Sequence, residues 1–527
     1  MVLAPLTRWT RALLMMTASS LQHLTQRVQT HPGVRGTLRF VTERGRTLAL
    51  AVLLWSCLSL LLSDWPLWWA PLPKPMAEVA HSVSGSFANG RHFMFDRYQR
   101  ERPRQPQAQP VTIVAIDEKS LAQLGQWPWP RHRLAALIEA IEREQPAAIG
   151  LDMYMPEVDQ TSPDQVALSL RERAPELARQ LAALPSNDAL LAGALSRTPS
   201  VLGAAGFDFK TFTTREGLRT RALALQGGEH LPTSVRDYPA VLASLPQLQA
   251  AAAGQALLSV DVNEGAVRRM PLVVRVAGQP VPSLALEMFR VATDAQQAEV
   301  QLDAHGVSAV RVADLQVPTQ AGGDVYVHFA RQAQTLRRYV SAVDVLEGRV
   351  DPQALQGKLV LLGLTGFGLS DMRTTALGEH VPGIEIQAQL IEALFEQRFL
   401  LRPWWMIFAE IGCALLVGAL MIWLVPRAST SRKLGLVYKV PKAGLLVSLG
   451  INPVVVGVGF YLFSAHGLLF DAASFFLVTS AVFGMIFTFT QASMARQKHA
   501  RREQAWAELQ TRLQQAEAAL AAKSPGA

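Results

Sequence analysis

Asp117 and Asp152 each close an apolar run, VTIVAID at 111–117 and AAIGLDMYM at 147–155. A carboxylate at the carboxyl end of a buried strand sits where ligands of open α/β sheets bind. With Glu385 of PGIEI, the two aspartates would supply three hard oxygen donors, a set that suits calcium or magnesium. The alternative is that both aspartates cap the helices or turns that follow them, a common task for that side chain. In WPWPR at 127–131, Trp127 and Trp129 could form a stacking platform for a ligand; alternatively Pro130 opens a helix and the rings pack beneath it. Arg131, Arg268, Arg269 and Arg373 are the cations an anion would use, although lone arginines also decorate surfaces. GLTGFG at 363–368 follows an apolar run, as a phosphate loop would, but lacks the Gly-Lys-Ser/Thr ending and is expected to be a turn. No Ser-His-Asp order, zinc spacing or nucleophile elbow occurs, so no catalytic residue is expected and no cofactor is specified.

The elements that must position these groups have the pattern of an α/β core. VTIVAID, AAIGLDMYM and KLVLLGLT at 358–365 are nearly continuous apolar runs, the signature of strands covered on both faces. Between the first two, Leu134, Leu137, Ile138 and Ile141 form one helical stripe, which gives a strand-helix-strand unit. ALLSVDV, RMPLVVRV and DVYVHFA add further strands, some in hairpins, so a mixed sheet with helices on both faces is expected. Residues 156–200, rich in Asp, Glu, Pro and Ala, are expected to form an exposed helical excursion.

Four apolar segments bracket this core: 47–69, 403–425, 443–464 and 468–490, each long enough to cross about 30 Å of hydrocarbon as a helix. Trp65, Trp68 and Trp69 suit an interfacial belt after the first. Arg35, Arg39, Arg44 and Arg46 precede it. Arg427, Arg432, Lys433, Lys439 and Lys442 fill 426–442, and Arg496, Lys498, Arg501 and Arg502 follow the fourth. Cationic flanks resist translocation, so all three clusters belong in the cytoplasm and residues 70–402 on the far side. Glu410 and Asp471 fall within spans, where they would mark an ion path if deep, or reach water if near the outer face. The net charge of +8 is concentrated in these flanks, which argues against nucleic acid as a partner and for the membrane lipid. Cys57 and Cys413 both lie in apolar stretches, so the soluble part has neither a disulfide framework nor a cysteine metal site.

Residues 1–46 carry Leu6, Trp9, Leu13, Met16, Leu24 and Val28 at helical spacing among arginines, with no Asp or Glu before position 43, as a helix lying on an anionic leaflet would. An organelle transit peptide or a subunit contact would show the same pattern. Residues 491–527 are expected to form a cytoplasmic helix in which Trp506, Leu509, Leu513, Ala516 and Leu520 alternate by three and four. That is a short coiled-coil pattern, or the face of a solvated helix.

Five ordered blocks over roughly 80–400 resemble the CHASE2 extracellular sensory domain of bacterial transmembrane receptors. They are VAIDEKSLAQLGQWPWPR, AAIGLDMY, GAVRRMPLVV, SAVDVLEGRV with GKLVLLGLT, and GLSDMRTTALGEHVPGIEIQAQLIEAL. Ala376 stands where a proline is usual, and Gln387 where a histidine often follows Gly-Ile-Glu-Ile, so any function of that histidine does not carry over. The resemblance implies a multi-pass receptor of the bacterial inner membrane with both termini cytoplasmic and the large domain periplasmic or extracellular. Three C-terminal spans and a cyclase, diguanylate cyclase or kinase commonly follow such a domain; here the effector is expected to be separate or missing and the chain itself not to be an enzyme. The expected partners are an unidentified ligand or protein outside, a cytoplasmic effector inside and a second copy of the chain. The alternatives are a membrane-anchored scaffold of envelope assembly and, third, a metal-dependent hydrolase using Asp117 and Asp152.

Overall fold

A computed structural model describes residues 45–63, 74–214, 217–221, 223–258, 261–263, 265–369, 371–424 and 441–522. The expected amphipathic segment before Gly45, the rim tryptophans Trp65, Trp68 and Trp69, and most of the basic loop at 426–442 lie outside these residues. The chain divides into two compact units: residues 62–407 with 457–473, and 1–61 with 408–456 and 474–527.

The first unit is built on a seven-stranded sheet. Its strands are β1 (Val111–Ile116), β2 (Ala148–Leu151), β3 (Ser200–Phe207), β4 (Ala240–Leu242), β5 (Gly254–Leu257), β6 (Tyr339–Ser341) and β7 (Leu359–Leu364). The order is β6-β1-β7-β2-β3-β4, with β5 also paired to β3; every pairing is parallel except that of β3 with β4. The helices used below are α1 (Gly45–Ser63), α2 (Lys74–Glu101), α3 (Glu118–Leu124), α4 (Arg131–Arg143), α5 (Pro163–Leu170), α6 (Pro175–Ala182), α7 (Asn187–Arg197), α8 (Leu284–Ala292), α9 (Ala342–Leu346), α10 (Gly383–Phe395), α11 (Met406–Leu424), α12 (Pro441–His466) and α13 (Ala472–Ala522).

Successive strand residues point to opposite faces, and both faces of β1 are apolar. Val111, Ile113 and Ala115 join Leu359, Leu361, Leu284, Met288, Ile384 and Ile391 in a core that includes α8 and α10. Val114 and Ile116 join Val360, Leu362, Ile149, Leu134, Leu137, Ile138, Ile141 and Leu195 beneath α4 and α7. Each of these fully buried side chains contributes about 1.5–3 kcal/mol of transfer free energy, which is why the runs read as uninterrupted apolar sequence.

β1, α4 and β2 form the expected strand-helix-strand unit within one sheet, and β7, which arrives more than 200 residues later, lies between the two strands and pairs with both. One expectation needs correction. The excursion at 156–200 is exposed only in part. α5 and α6 are mostly solvated, but α7 turns Leu191, Ala194 and Leu195 into the core because they recur on one helical face. The later strands form smaller sheets: Glu299–Asp303, Gly306–Val312 and Leu315–Pro318 make an antiparallel meander, and Ala266–Pro271 pairs with Asp261–Asn263 and Asp324–Tyr326.

The second unit is helical. Ala472–Phe489 within α13 is long and apolar enough to cross a membrane, and shorter apolar helices occupy Arg46–Leu62, Met406–Ile422 and Gly450–His466. Ala49, Leu53, Cys57 and Leu60 make the buried stripe of α1, and Leu53 packs on Gly418 of α11, where an added Cβ would come within 2.6 Å of it. Thr479 of α13 donates to Asn452 Oδ1 of α12 at 3.1 Å, a polar tie between two apolar helices.

Candidate functional site

Because β1, β7 and β2 are parallel neighbours, their carboxyl ends form one rim, and the chain leaves it through Asp117, the Thr365–Leu369 turn and Asp152. The intervening β7 keeps the two aspartates' strands apart by two interstrand spacings, roughly 10 Å. Asp117 is the N-cap of α3: its Oδ1 accepts from the Ser120 backbone N–H at 2.9 Å, from Ser120 Oγ at 2.7 Å and from Ser341 Oγ at 2.7 Å. The glycine-rich stretch is a turn, in which Thr365 N and Gly366 N both donate to Ile116 O at 3.1 Å. Phe367 N donates to Glu118 Oε1 at 2.7 Å, and its ring is left 92% exposed at the tip.

Asp152 packs against the notch made by Gly363. A Cβ there would come within 3.2 Å of Asp152 Cβ and 2.7 Å of Ile384 Cδ1, so only glycine lets α10 lie this close to the strand ends. Burial pushes the Asp152 carboxyl up to about 6, and the charge of Asp371 raises it further in the same sense. Asp371 in turn accepts from Arg373 Nη2 at 2.5 Å and Nε at 2.9 Å, and its carbonyl accepts from Gly383 N at 2.8 Å, at the first turn of α10. Asp152, Asp371, Arg373 and the start of α10 therefore form one neighbourhood on the rim.

Glu385 belongs elsewhere. It is fully buried one turn into α10, where its carboxylate accepts from Tyr339 Oη at 2.7 Å and Gln389 Nε2 at 3.0 Å. Asp117, Asp152 and Glu385 do not converge, and among the described residues no three His, Cys, Asp or Glu side chains are placed to hold a metal ion. The cation site expected from these three carboxylates is thus not formed, because two of them are already spent on capping and on an internal network.

Of the two readings of WPWPR, the structure follows the second: Pro130 is the N-cap of α4 and the two rings do not stand out as an open stacking platform. Trp129 is buried with Nε1 donating to Gly125 O at 2.8 Å, and half-buried Trp127 meets it edge-on at 5.9 Å. Arg131 is buried at the start of α4, bonded to Asp188 and the Glu157 carbonyl, and so ties α4 to α7. Arg268 is clasped by Asp96 at 2.8 and 2.9 Å, and Arg269 pairs with Asp324 at 3.2 Å over the Tyr326 ring. Asp471 precedes α13 rather than lying inside its apolar stretch, and it adds to the burial that pushes the Tyr98 phenol up to about 12.

A chain of buried charges escaped the sequence reading. Arg104, just past α2, donates from Nη2 to Glu392 Oε2 at 2.7 Å and pairs with Glu396 at 3.3 Å. Arg338 reaches the same Glu392 oxygen at 2.8 Å and lies 3.5 Å from Glu385. Two arginines thus face three carboxylates. Burial dominates at Glu385 and raises its pKa despite Arg338, Tyr339 and Gln389. Arg338 Nε, Glu392 Oε1 and Glu396 Oε2 are buried with no hydrogen-bond partner among the described residues, so the network is incompletely satisfied. Its signal was present in the sequence: Glu385, Gln389, Glu392 and Glu396 recur at helical spacing on one side of a helix whose remaining residues, Gln387 apart, are apolar.

Close by, the segment after α10 meets the link between α12 and α13. Leu401 N donates to Gly467 O at 2.8 Å, and Leu469 N donates to Leu401 O at 2.9 Å. Tyr98 of α2 packs on Phe460 and Phe463 of α12 at 5.8 and 5.6 Å.

A family model described as CHASE2 domain matches residues 77–420, which include the rim, the buried charges and α10. No curated protein and no solved structure matches the chain.

Proposed function

The chain belongs to the CHASE2 family of sensory domains, and from that premise we propose that it is a receptor of the bacterial inner membrane. In this reading the unit at 62–407 lies outside the cytoplasm and detects a ligand or protein partner at the strand-end rim. α1, α11, α12 and α13 are the four spans, and the tail of α13 hands the signal to a cytoplasmic effector.

The observation that carries the reading is α10. Its first turn bonds to Asp371 and packs on the Gly363 notch, while its later turns hold Arg104 through Glu392 and Glu396. A change at the rim therefore reaches, through α10, both ends of the 62–407 unit: back through Arg104 to the end of α2, and forward to the segment that follows α10. A ligand shifts such an element only by binding its two positions unequally. The exposed rings and side chain of Phe367, Tyr154 and Met372 favour a protein partner as the second reading, a scaffold that docks without changing state.

Hydrogen exchange on the full-length chain in nanodiscs, with and without a periplasmic extract, separates the two. A receptor changes amide exchange at 365–383 and also at 383–396. A scaffold is protected at the rim while α10 is unaltered, and no change in either segment overturns the rim as the sensing surface.

A further inference from the structure

The carboxyl-terminal part of α13 continues as one helix to Ala522, and it leaves Trp506, Leu509 and Leu513 exposed at 69%, 58% and 61%. These side chains alternate by three and four and therefore share one face of the helix. The same spacing continues through Ala516 to Leu520 in the sequence, which assigns Trp506, Leu513 and Leu520 to position a of a heptad and Leu509 and Ala516 to position d. His499 and Arg502 occupy the preceding a and d positions, so the apolar seam begins at Trp506.

The flanking charges discriminate between occupants of this face. In this register Lys498 and Arg512 are at g, and Glu503 and Glu517 are at e. In a parallel, in-register pair each g residue faces the e residue five positions later in the partner helix. Lys498 then meets Glu503 of the other copy, and Arg512 meets Glu517, twice each by symmetry. An antiparallel pair would set g against g and e against e, bringing like charges together. We infer that residues 499–520 form a parallel, in-register two-stranded coiled coil with a second copy of this chain. About two heptads of seam are marginal in a free peptide, but membrane anchoring holds the two tails at high effective concentration. The inference does not rest on the sensing reading, because a scaffold anchored by the same helices would pair in the same way.

The test uses the full-length chain in native membranes with single added cysteines, the native chain with Cys57 and Cys413 serving as the blank. Leu513→Cys at a should give a disulfide-linked dimer on mild oxidation, whereas Thr511→Cys at the outward f position should not. Equal crosslinking at the two positions, or none at 513, overturns the inference; the latter would come from an antiparallel pair, a monomer or a different partner on this face. Arg512→Glu should weaken dimerisation about tenfold, since two attractive contacts become repulsive. The double variant Arg512→Glu with Glu517→Arg should restore it. The single change also removes an i,i+4 spacing with Glu508 that the second change cannot replace, so rescue reads the contact between copies. Light scattering of the purified chain follows the same variants by mass, and failure of the double variant to regain the dimer overturns the register.

Discussion

Arg104 has no exposed surface, and it pairs with Glu392 on α10 and with Glu396, the residue that caps that helix at its carboxyl end. Removing one partner of a buried pair leaves the other desolvated and uncompensated, so Arg104→Ala should lower stability by about 3–5 kcal/mol. Arg373→Ala, which disrupts only the exposed contact with Asp371, should stay within about 0.5 kcal/mol. Thermal melts of the full-length chain in detergent compare the two. Asp152 makes a pH-dependent case. Its folded pKa of about 6 lies above the ordinary 3.8, so its contribution to stability is complete below pH 4 and is lost as pH rises through 6. Asp152→Asn should therefore melt higher than the native chain by a margin that opens between about pH 4 and 6 and is constant above, worth at most about 3 kcal/mol. A margin independent of pH would show that the carboxyl is not held in that state.

At the scale of elements, α10 is positioned by a glycine and by charge. Gly363 leaves no room for a side chain between Asp152 and Ile384. Gly363→Val should overpack this notch, costing about 1–3 kcal/mol, and should push the first turn of α10 off the rim. Faster amide exchange at 383–387, with β7 still protected, is the expected signature; an undisturbed α10 would mean that the notch does not fix it. The strands themselves were legible because both faces are apolar. Their order was not, since β7 inserts between β1 and β2 through a pairing that no local pattern encodes. Likewise the stripe of α7 is short, and its burial depends on α4 lying beside it.

For the whole molecule, the distribution of Lys and Arg predicts that protease added to spheroplasts cuts within 70–402 and spares the tail after Thr490. Cleavage of the tail with the sensor intact would reverse the topology. Among the described residues one helix, at Ala472–Phe489, meets the length and hydropathy of a span by itself; the other three apolar helices are shorter, so glycosylation or labelling of their flanking loops is the direct check on four crossings.

Composition and local pattern by themselves determined the family blocks, the apolar segments with their cationic flanks, the buried strands and the helical stripe of Leu134, Leu137, Ile138 and Ile141, because each depends on residues close together in the chain. They also suggested a carboxylate cluster, since Asp117, Asp152 and Glu385 all stand at promising places. Only the tertiary structure decided that Asp117 caps a helix, that Asp152 faces Asp371 and that Glu385 joins Arg338 and Tyr339 in the interior. A carboxylate's partner is whichever group the fold brings within about 3 Å, and most of these partners lie more than 200 residues away or on another element, where spacing in the sequence carries no record of distance.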